Sequence, residues 1–291
     1  MPFFSIIIPT YNRATLLGKA ITSVLQQTFI DFELIIVDDG STDDTKNYIA
    51  TYTDKRIKYI YQQNGERGKA RNNGVKQAIG NYVFFLDSDD IIYPDHLEHA
   101  FEQINHFNSP AFFHSRYEEV IDTKKKQVPQ LNPKNIKAKI ALQNVFACQF
   151  FLKREVALDF PFSENRNLKI GEDWEVILKV AQRFDLTISN KVTSAIVHHG
   201  ERSMEIASAK TVLASRDILI NNLKQDQAIS AVICGNVFAE LTTLAGLSAA
   251  IANEKGKAFK LWRKGVVKRP RLLFTRRTLA ILKKIIINGK S

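Results

Sequence analysis

A chain of 291 residues, 45% hydrophobic and 24% charged, with 13 Gly, 8 Pro and 2 Cys, has a globular composition, which excludes collagen, a mainly disordered chain and a disulfide scaffold. Its length exceeds the usual single-domain size, so one large domain, or one with an appended helical piece, is expected. The net charge of +11 is 41 basic minus 30 acidic residues; residues 253–291 hold thirteen Lys or Arg and one acid, or +12, which leaves about −1 (28 basic, 29 acidic) for the first 252.

The amino-terminal residues run directly into an apolar segment without a basic n-region or cleavage site, so export is not expected. The first apolar run, Phe4-Ser5-Ile6-Ile7-Ile8-Pro9, reads as a strand. Residues 14–27 place Leu16, Leu17, Ala20, Ile21, Val24 and Leu25 on one helical face. The alternation continues with strands at 33–37, 57–61 and 82–86 and helices at 43–51 and 68–79. Strands that are continuous apolar runs separated by helices predict a parallel sheet covered on both faces. Further on, strands are expected at 111–121 and 148–153, a helix at 172–184 and a strand through 195–197. Only helices follow residue 206. Lys124-Lys125-Lys126 reads as a solvated turn, and the stretch 228–253, which carries Glu240 midway, as a buried helix rather than a bilayer span. Cys148 and Cys234 lie in apolar surroundings without CxxC spacing and are expected to be buried thiols.

In parallel sheets ligands bind beyond the carboxyl ends of the strands, and that is where the polar residues gather. The first strand ends at Pro9-Thr10-Tyr11-Asn12-Arg13, the second at Asp38-Asp39-Gly40-Ser41 and the fourth at Asp87-Ser88-Asp89-Asp90. Unpaired carboxylates at such close spacing repel one another. A hard divalent cation, Mg²⁺ or Mn²⁺, resolves this by binding one or two of them and filling its remaining positions with water and phosphate oxygens. The plainer alternative is an Asx turn leading to a helix cap at Asp90 and Pro94. Asp38 and Asp39 have the chemistry to accept a base N–H and ribose hydroxyls, although Gly40 and Asp43 also fit an ordinary turn and helix cap. Asn64-Gly65 and Ala70-Arg71-Asn72-Asn73-Gly74 bring amides and a cation to the same rim. Arg71 then either meets a phosphate or faces solvent.

Taken in order, these segments, together with Gly171-Glu172-Asp173-Trp174-Glu175, resemble the inverting family 2 glycosyltransferases with the GT-A fold. The resemblance covers about the first 200 residues. It implies an α/β fold, a Rossmann-like, mainly parallel sheet flanked by helices, with a catalytic domain at 1–205 (nucleotide-sugar half 1–110, acceptor half 111–205) and a helical region at 206–291. It also implies that Tyr11 and Asp39 hold the nucleobase, that Asp87 meets the ribose or the metal, and that Asp89 coordinates a cation bridging the diphosphate of a nucleotide-sugar donor. Pro9, Thr10, Arg13, Asp38, Asn64, Gly65, Arg71 and Ser88 complete the donor motifs. Asp173, with Glu172 beside it, corresponds to the base that deprotonates the acceptor hydroxyl, with the division of roles between the two acids left open. In Val197-His198-His199-Gly200-Glu201-Arg202-Ser203, His199 fits a third metal ligand and Arg202 a diphosphate contact; a surface His pair is the alternative. The other four histidines read as structural.

On a helical wheel of about 100° per residue, Leu279, Ile281, Leu282, Ile285 and Ile286 share one arc, and Arg276, Arg277, Lys283 and Lys284 lie opposite. Such a basic amphipathic helix suits an anionic membrane interface, each nearby cation adding on the order of 1 kcal/mol. Docking of the apolar arc on the protein body is the alternative. A nucleic-acid partner is not expected, because Trp262 and Phe274 are the only aromatics in the final thirty residues, too few for a stacking platform. The leading expectation is therefore an enzyme that moves a sugar from a nucleoside diphosphate, UDP by preference, to a hydroxyl of a glycan or lipid-linked acceptor in bacterial surface-glycan synthesis. It would work at the inner face of the cytoplasmic membrane, with residues 253–291 on the lipid. The alternatives are a non-catalytic nucleotide-sugar-binding partner subunit and, from another enzyme class, a nucleotidyltransferase. The second is disfavoured by the glycine-free loop Thr10-Tyr11-Asn12-Arg13.

Overall fold

The structure, a computed structural model, describes residues 1–198 and 207–287. The elements begin β1 (Phe4–Thr10), α1 (Ala14–Leu25), β2 (Phe32–Asp38), α2 (Thr45–Ala50), β3 (Ile57–Tyr61), α3 (Glu66–Gln77) and β4 (Tyr82–Phe85). There follow β5 (Ile91–Ile92), α4 (His96–His106), β6 (Phe112–Ile121), β7 (Lys124–Gln127), α5 (Ile136–Ile140), β8 (Phe151–Lys153), α6 (Arg154–Asp159), α7 (Glu172–Ala181) and β9 (Leu186–His198). The chain ends in α8 (Ala209–Lys224), α9 (Ala231–Ile251), α10 (Lys255–Lys268), a 3-10 turn at Pro270–Phe274 and α11 (Arg276–Ile287). It divides into two compact units. The first comprises residues 1–136, 146–164 and 183–199, and the second residues 137–145, 165–182 and 200–291. The units do not follow a single cut along the sequence: the acidic segment around residue 173 groups with the carboxyl-terminal helices.

The first unit is built on one sheet, ordered β3-β2-β1-β4-β8-β6-β9-β5, with β7 on β6. Strands β1 to β4 are parallel, as their continuous apolar runs predict. The far half is mixed, because β8 runs antiparallel to both β4 and β6 while β9 is parallel to β6. Alternate residues face opposite sides of the sheet. Phe4, Ile6, Ile8, Leu34, Ile36 and Phe84 form one core with Leu17, Ile21 and Val24 of α1 and Leu97 and Ile104 of α4. On the other face, α3 lies so close to β1 that a Cβ on Gly74 would sit 2.5 Å from Ile7 Cγ2, and one on Gly68 2.3 Å from the Ser163 carbonyl. These two glycines let α3 approach the sheet and the 162–164 segment. His96 and His114 are fully buried, as the structural reading of these histidines expects. His96 Nδ1 lies 2.7 Å from Thr193 Oγ1, and His114 Nδ1 donates to the Gln149 carbonyl at 2.8 Å.

Four elements depart from expectation. Lys124-Lys125-Lys126 is not a turn but most of β7, paired with β6 so that Lys125 meets Glu118 at 2.9 Å and Lys126 meets Glu119 at 2.8 Å. Cross-strand charge pairing makes a strand of residues whose propensity opposes one. Asp90 caps no helix: β5 intervenes, and α4 starts after Asp95. Strand β9 is much longer than its apolar tip at 195–197, because β6 templates it from Leu186 onward. Helix α7 stops at Ala181 rather than continuing to residue 184.

In the second unit Trp174 and Leu178 of α7 pack with Val212, Leu219 and Leu223 of α8, with Val237, Leu241 and Ala245 of α9, and with Ile281 of α11. Ser208 and Ser230 cap α8 and α9 through bonds from the Thr211 and Ile233 amides. Among the described residues α9 is the one helix long and apolar enough to cross a membrane, and 56% of its most apolar window is buried in the structure. Its acid has partners: Glu240 pairs with Arg269 and with Arg277, the latter at 2.7 Å. Both cysteines are buried, and neither is in a disulfide among the described residues.

Candidate donor-binding site

The register of the parallel strands brings the polar ends together. Thr10 pairs with Asp38, and Asp38 with Tyr61, so β1, β2 and β3 finish level. The Asp39 amide donates to the Thr10 carbonyl at 2.8 Å, joining the first two loops. Asn12, at φ +52°, accepts the Thr42 amide on Oδ1 and donates its own amide to Ser41 Oγ, both at 2.8 Å. Pro9 and Thr10 are buried at the strand end, and Tyr11 beyond them is 48% exposed.

Each acid of the second loop has a distinct place. Asp38 Oδ1 accepts the Ser41 amide at 2.8 Å and Oδ2 the Tyr59 hydroxyl at 2.8 Å. Burial, and then the Asp38 carboxylate, push the Tyr59 phenol above its ordinary pKa, so it remains a donor. Asp39 Oδ1 accepts from Gln62 Nε2 at 2.7 Å and from the Gly65 amide at 2.8 Å, and Oδ2 accepts from Asn64 Nδ2 at 3.2 Å. A carboxylate has about four acceptor positions, so one remains on Oδ2. Gly40, at φ +85°, permits this arrangement, since a Cβ there would lie 2.8 Å from the Asn64 amide nitrogen. Asp43 ties the loops of β1 and β2 together by accepting from the Ala14 and Thr45 amides and the Thr45 hydroxyl. Although burial acts in the opposite direction, these bonds hold its carboxyl below the ordinary range.

Beyond β4, Asp87, Asp89 and Asp90 each offer an oxygen, all within 4.8 Å of one another. The three carboxylates have separate roles in the protein itself. Asp90 is 2% exposed and accepts from Gln149 Nε2 at 3.1 Å and the Val197 amide at 3.0 Å, which fastens the turn to β9. Asp87 pairs with Arg71 at 2.7 Å, and Asp89 with Arg13 at 2.6 Å. Arg71 is 1% exposed and sits over the Phe162 ring, 5.2 Å from its centroid, which rules out the solvent-facing alternative. Ser88 is buried between the two outer acids. Hard carboxylate oxygens in this number and closeness fit Mg²⁺ or Mn²⁺. Asp90's bonds to Gln149 and Val197 set it apart from Asp87 and Asp89, which pair with arginines.

Three hydrogen-bond roles are added by the structure. Gln62 stands at the end of β3 as the aspartates stand at the ends of β2 and β4, and it accepts from Asn73 Nδ2 at 2.8 Å while donating to Asp39. The strand-end rule alone could have found it. Asn72 holds residues 162–164 through both amide atoms, bonding the Phe162 amide and carbonyl and Glu164 at 2.9 Å each. In the second unit, Asn144 Nδ2 donates to Asp173 Oδ2 at 2.9 Å.

Glu172 and Asp173 open α7, which starts from Gly171 at φ +90°. Glu172 is buried, and Asp173 Oδ1 also accepts the Trp174 amide at 2.8 Å. The helix start is held by Trp174 Nε1 donating to the Ile140 carbonyl at 2.7 Å and by Glu175 accepting from Asn222 at 3.0 Å. These two acids belong to the second unit, whereas every donor-site residue above belongs to the first. His199 and Arg202 lie outside the described residues.

Residues 5–158 match the model of glycosyl transferase family 2. The chain is 37% identical to an uncharacterized glycosyltransferase of Rickettsia conorii over 183 residues, which is 62% of this chain and 30% of that protein. It is 49% identical over 94 residues to the GalNAc(5)-diNAcBac-PP-undecaprenol beta-1,3-glucosyltransferase of Campylobacter jejuni, covering 31% of this chain and 30% of that enzyme. The chain thus spans about a third of the length of the curated relatives it matches. Among solved structures, Staphylococcus aureus TarS 1-349 with UDP-GlcNAc superposes with a TM-score of 0.67 at 21% identity, over 93% of this chain and 92% of that one. The mannosyltransferase PcManGT of Pyrobaculum calidifontis with GDP-Man and Mn²⁺ gives 0.58 at 17% identity, over 99% and 88%. At these identities the structural likeness establishes the fold, which is that of GT-A glycosyltransferases. The chain belongs to glycosyl transferase family 2.

Proposed function

We propose that this chain is an inverting, metal-dependent glycosyltransferase that moves a sugar from a UDP-sugar to a hydroxyl of a glycan or lipid-linked saccharide. The observation that carries the reading is the Asp87/Asp89 pair at the end of β4, with Arg71 and Arg13 beside it. The UDP-GlcNAc bound by TarS and the undecaprenol-linked substrate in the name of the Campylobacter relative support the donor and acceptor classes.

On this reading Tyr11 stacks on the base, and Asp39, oriented by Gln62, Asn64 and Gly65, accepts its imide N–H. A divalent cation held by Asp87 and Asp89 would supply charge neutralisation at the diphosphate. Arg71, buried beside Asp87, adds positive charge where the leaving group becomes more anionic. Asp173 takes the proton of the acceptor hydroxyl as that oxygen attacks the anomeric carbon, and Asn144 and the Trp174 amide hold the carboxylate in one orientation. Glu172 steadies the acceptor. A single displacement inverts the anomeric centre. His199 would offer the cation a further ligand, and Arg202 would give the diphosphate a further contact. The enzyme works in surface-glycan synthesis at the cytoplasmic face of the membrane, with residues 253–291 toward the lipid.

The test is Asp173→Asn. Transfer should fall by about 10²–10⁴-fold, the usual worth of a general base, while nucleotide affinity measured by calorimetry stays within a factor of about three. Undiminished transfer in this variant would remove Asp173 as the base.

A further inference from the structure

The carboxyl-terminal helix carries more apolar surface than the protein covers. Ile281 of α11 is fully buried, Ile285 packs against the same core, and Thr278 is buried. Leu279 and Ile286, from the same apolar arc of the wheel, are 65% and 70% exposed. The preceding 3-10 turn continues the pattern: Leu272 is buried, Leu273 is 43% exposed and Phe274 is 90% exposed. Helix α11 is held in this rotation by Arg277, which pairs with Glu240 of α9 and donates to the Glu240 carbonyl at 3.1 Å, and by Arg269, which pairs with the same acid and reaches the Leu142 carbonyl at 2.6 Å. Two tail arginines are thus consumed in docking. Arg271, Arg276 and Lys283 remain exposed around the uncovered apolar residues. Arg276, Leu279, Lys283 and Ile286 recur at three- and four-residue steps, so cations and aliphatics alternate along one exposed face.

We infer that the Leu273-Phe274 corner and the outer edge of α11 form an interfacial wedge for an anionic lipid bilayer. This deepens the membrane part of the function proposed above and rests on it. The occupant follows from the chemistry. An acidic protein surface would satisfy the cations but not a 90% exposed phenylalanine flanked by aliphatics. Single-stranded nucleic acid would need several aromatic faces to stack on, where this surface offers one phenylalanine among leucine and isoleucine. A bilayer interface takes apolar side chains into its acyl boundary while its headgroups pair with the surrounding cations. The helix therefore does not lie on the membrane with its full apolar arc, as the wheel predicts. Half of the arc docks on the protein, and a corner inserts.

The experiment is co-sedimentation of the full chain with vesicles of phosphatidylcholine alone or with 30% phosphatidylglycerol (about one lipid in three, to bring the charge term into play). Binding is expected to the anionic vesicles only and to weaken with salt. Phe274→Ser should reduce it by about tenfold or more, and Leu279→Ser by a smaller factor. Neither residue is in the core, so both variants should keep the wild-type melting temperature and UDP affinity. Those readouts separate loss of the wedge from loss of the donor site. Equal binding to neutral and anionic vesicles, or full retention in Phe274→Ser, would overturn the inference. So would tight binding of duplex DNA or RNA without vesicle binding, which would make the surface a nucleic-acid site.

Discussion

Gln62 passes a hydrogen bond from Asn73 to Asp39, the carboxylate that in the proposed function reads the base through its remaining acceptor position. Replacing it with leucine removes a donor to a charged group, an interaction of about 1.5–3 kcal/mol. Gln62→Leu should therefore weaken UDP binding by about tenfold and narrow its preference over other nucleoside diphosphates, with kcat little changed. Unaltered nucleotide selectivity would show that Asn64 and Gly65 orient Asp39 without it. Gly74 works by absence of a side chain. A Cβ there meets Ile7 at 2.5 Å, and Gly74→Ala should cost about 1–3 kcal/mol of stability by overpacking, readable as a shift in the denaturant midpoint. At this scale much of the candidate donor site was legible, because aspartates directly after apolar strands are either turn residues or ligands. Asp90 was not separable from Asp87 and Asp89, because its partners Gln149 and Val197 are about 60 and 107 residues away in the chain.

Among elements, the parallel strands β1 to β4 could be read directly because burial on both faces demands continuous apolar runs. Strand β7 could not, since nothing local says that Lys126 will lie opposite Glu119 and Lys125 reach Glu118 diagonally across the pair. The amphipathic tail shows the same limit: a helical wheel reports the width of an apolar arc but not which part a neighbour covers. The neighbour here is α9, and its acid explains a charge placed midway along an apolar helix. Removing one partner of a buried ion pair strands the other. Glu240→Ala leaves Arg269 and Arg277 unpaired, though both are partly exposed, and should cost about 2 kcal/mol. It should also raise proteolytic cleavage after residues of α11. Cleavage at the wild-type rate would mean that Ile281 and Ile285 alone hold the helix.

For the whole molecule, the buried histidines set an acid limit on stability. Burial pushes His96 down to about 3, with the charges of neighbouring histidines adding to it, and His114 down to about 4. The unfolded chain protonates both near their ordinary value of about 6.5. Below that pH the unfolded state binds more protons than the native one, so stability is complete above about pH 6.5 and falls as the pH drops toward 4. Each histidine contributes a slope of about 1.4 kcal/mol per pH unit. The His96→Gln/His114→Gln double variant should flatten the pH dependence of the unfolding midpoint between pH 6 and 4; an unchanged slope would assign acid sensitivity to other groups. The central claim is that the ends of β1, β2 and β4 form a metal-assisted nucleoside diphosphate site, and calorimetric titration of UDP with and without Mn²⁺ tests it most directly. Binding that requires the cation and is lost in Asp89→Asn is the predicted result; UDP affinity indifferent to both the cation and Asp89 would contradict it.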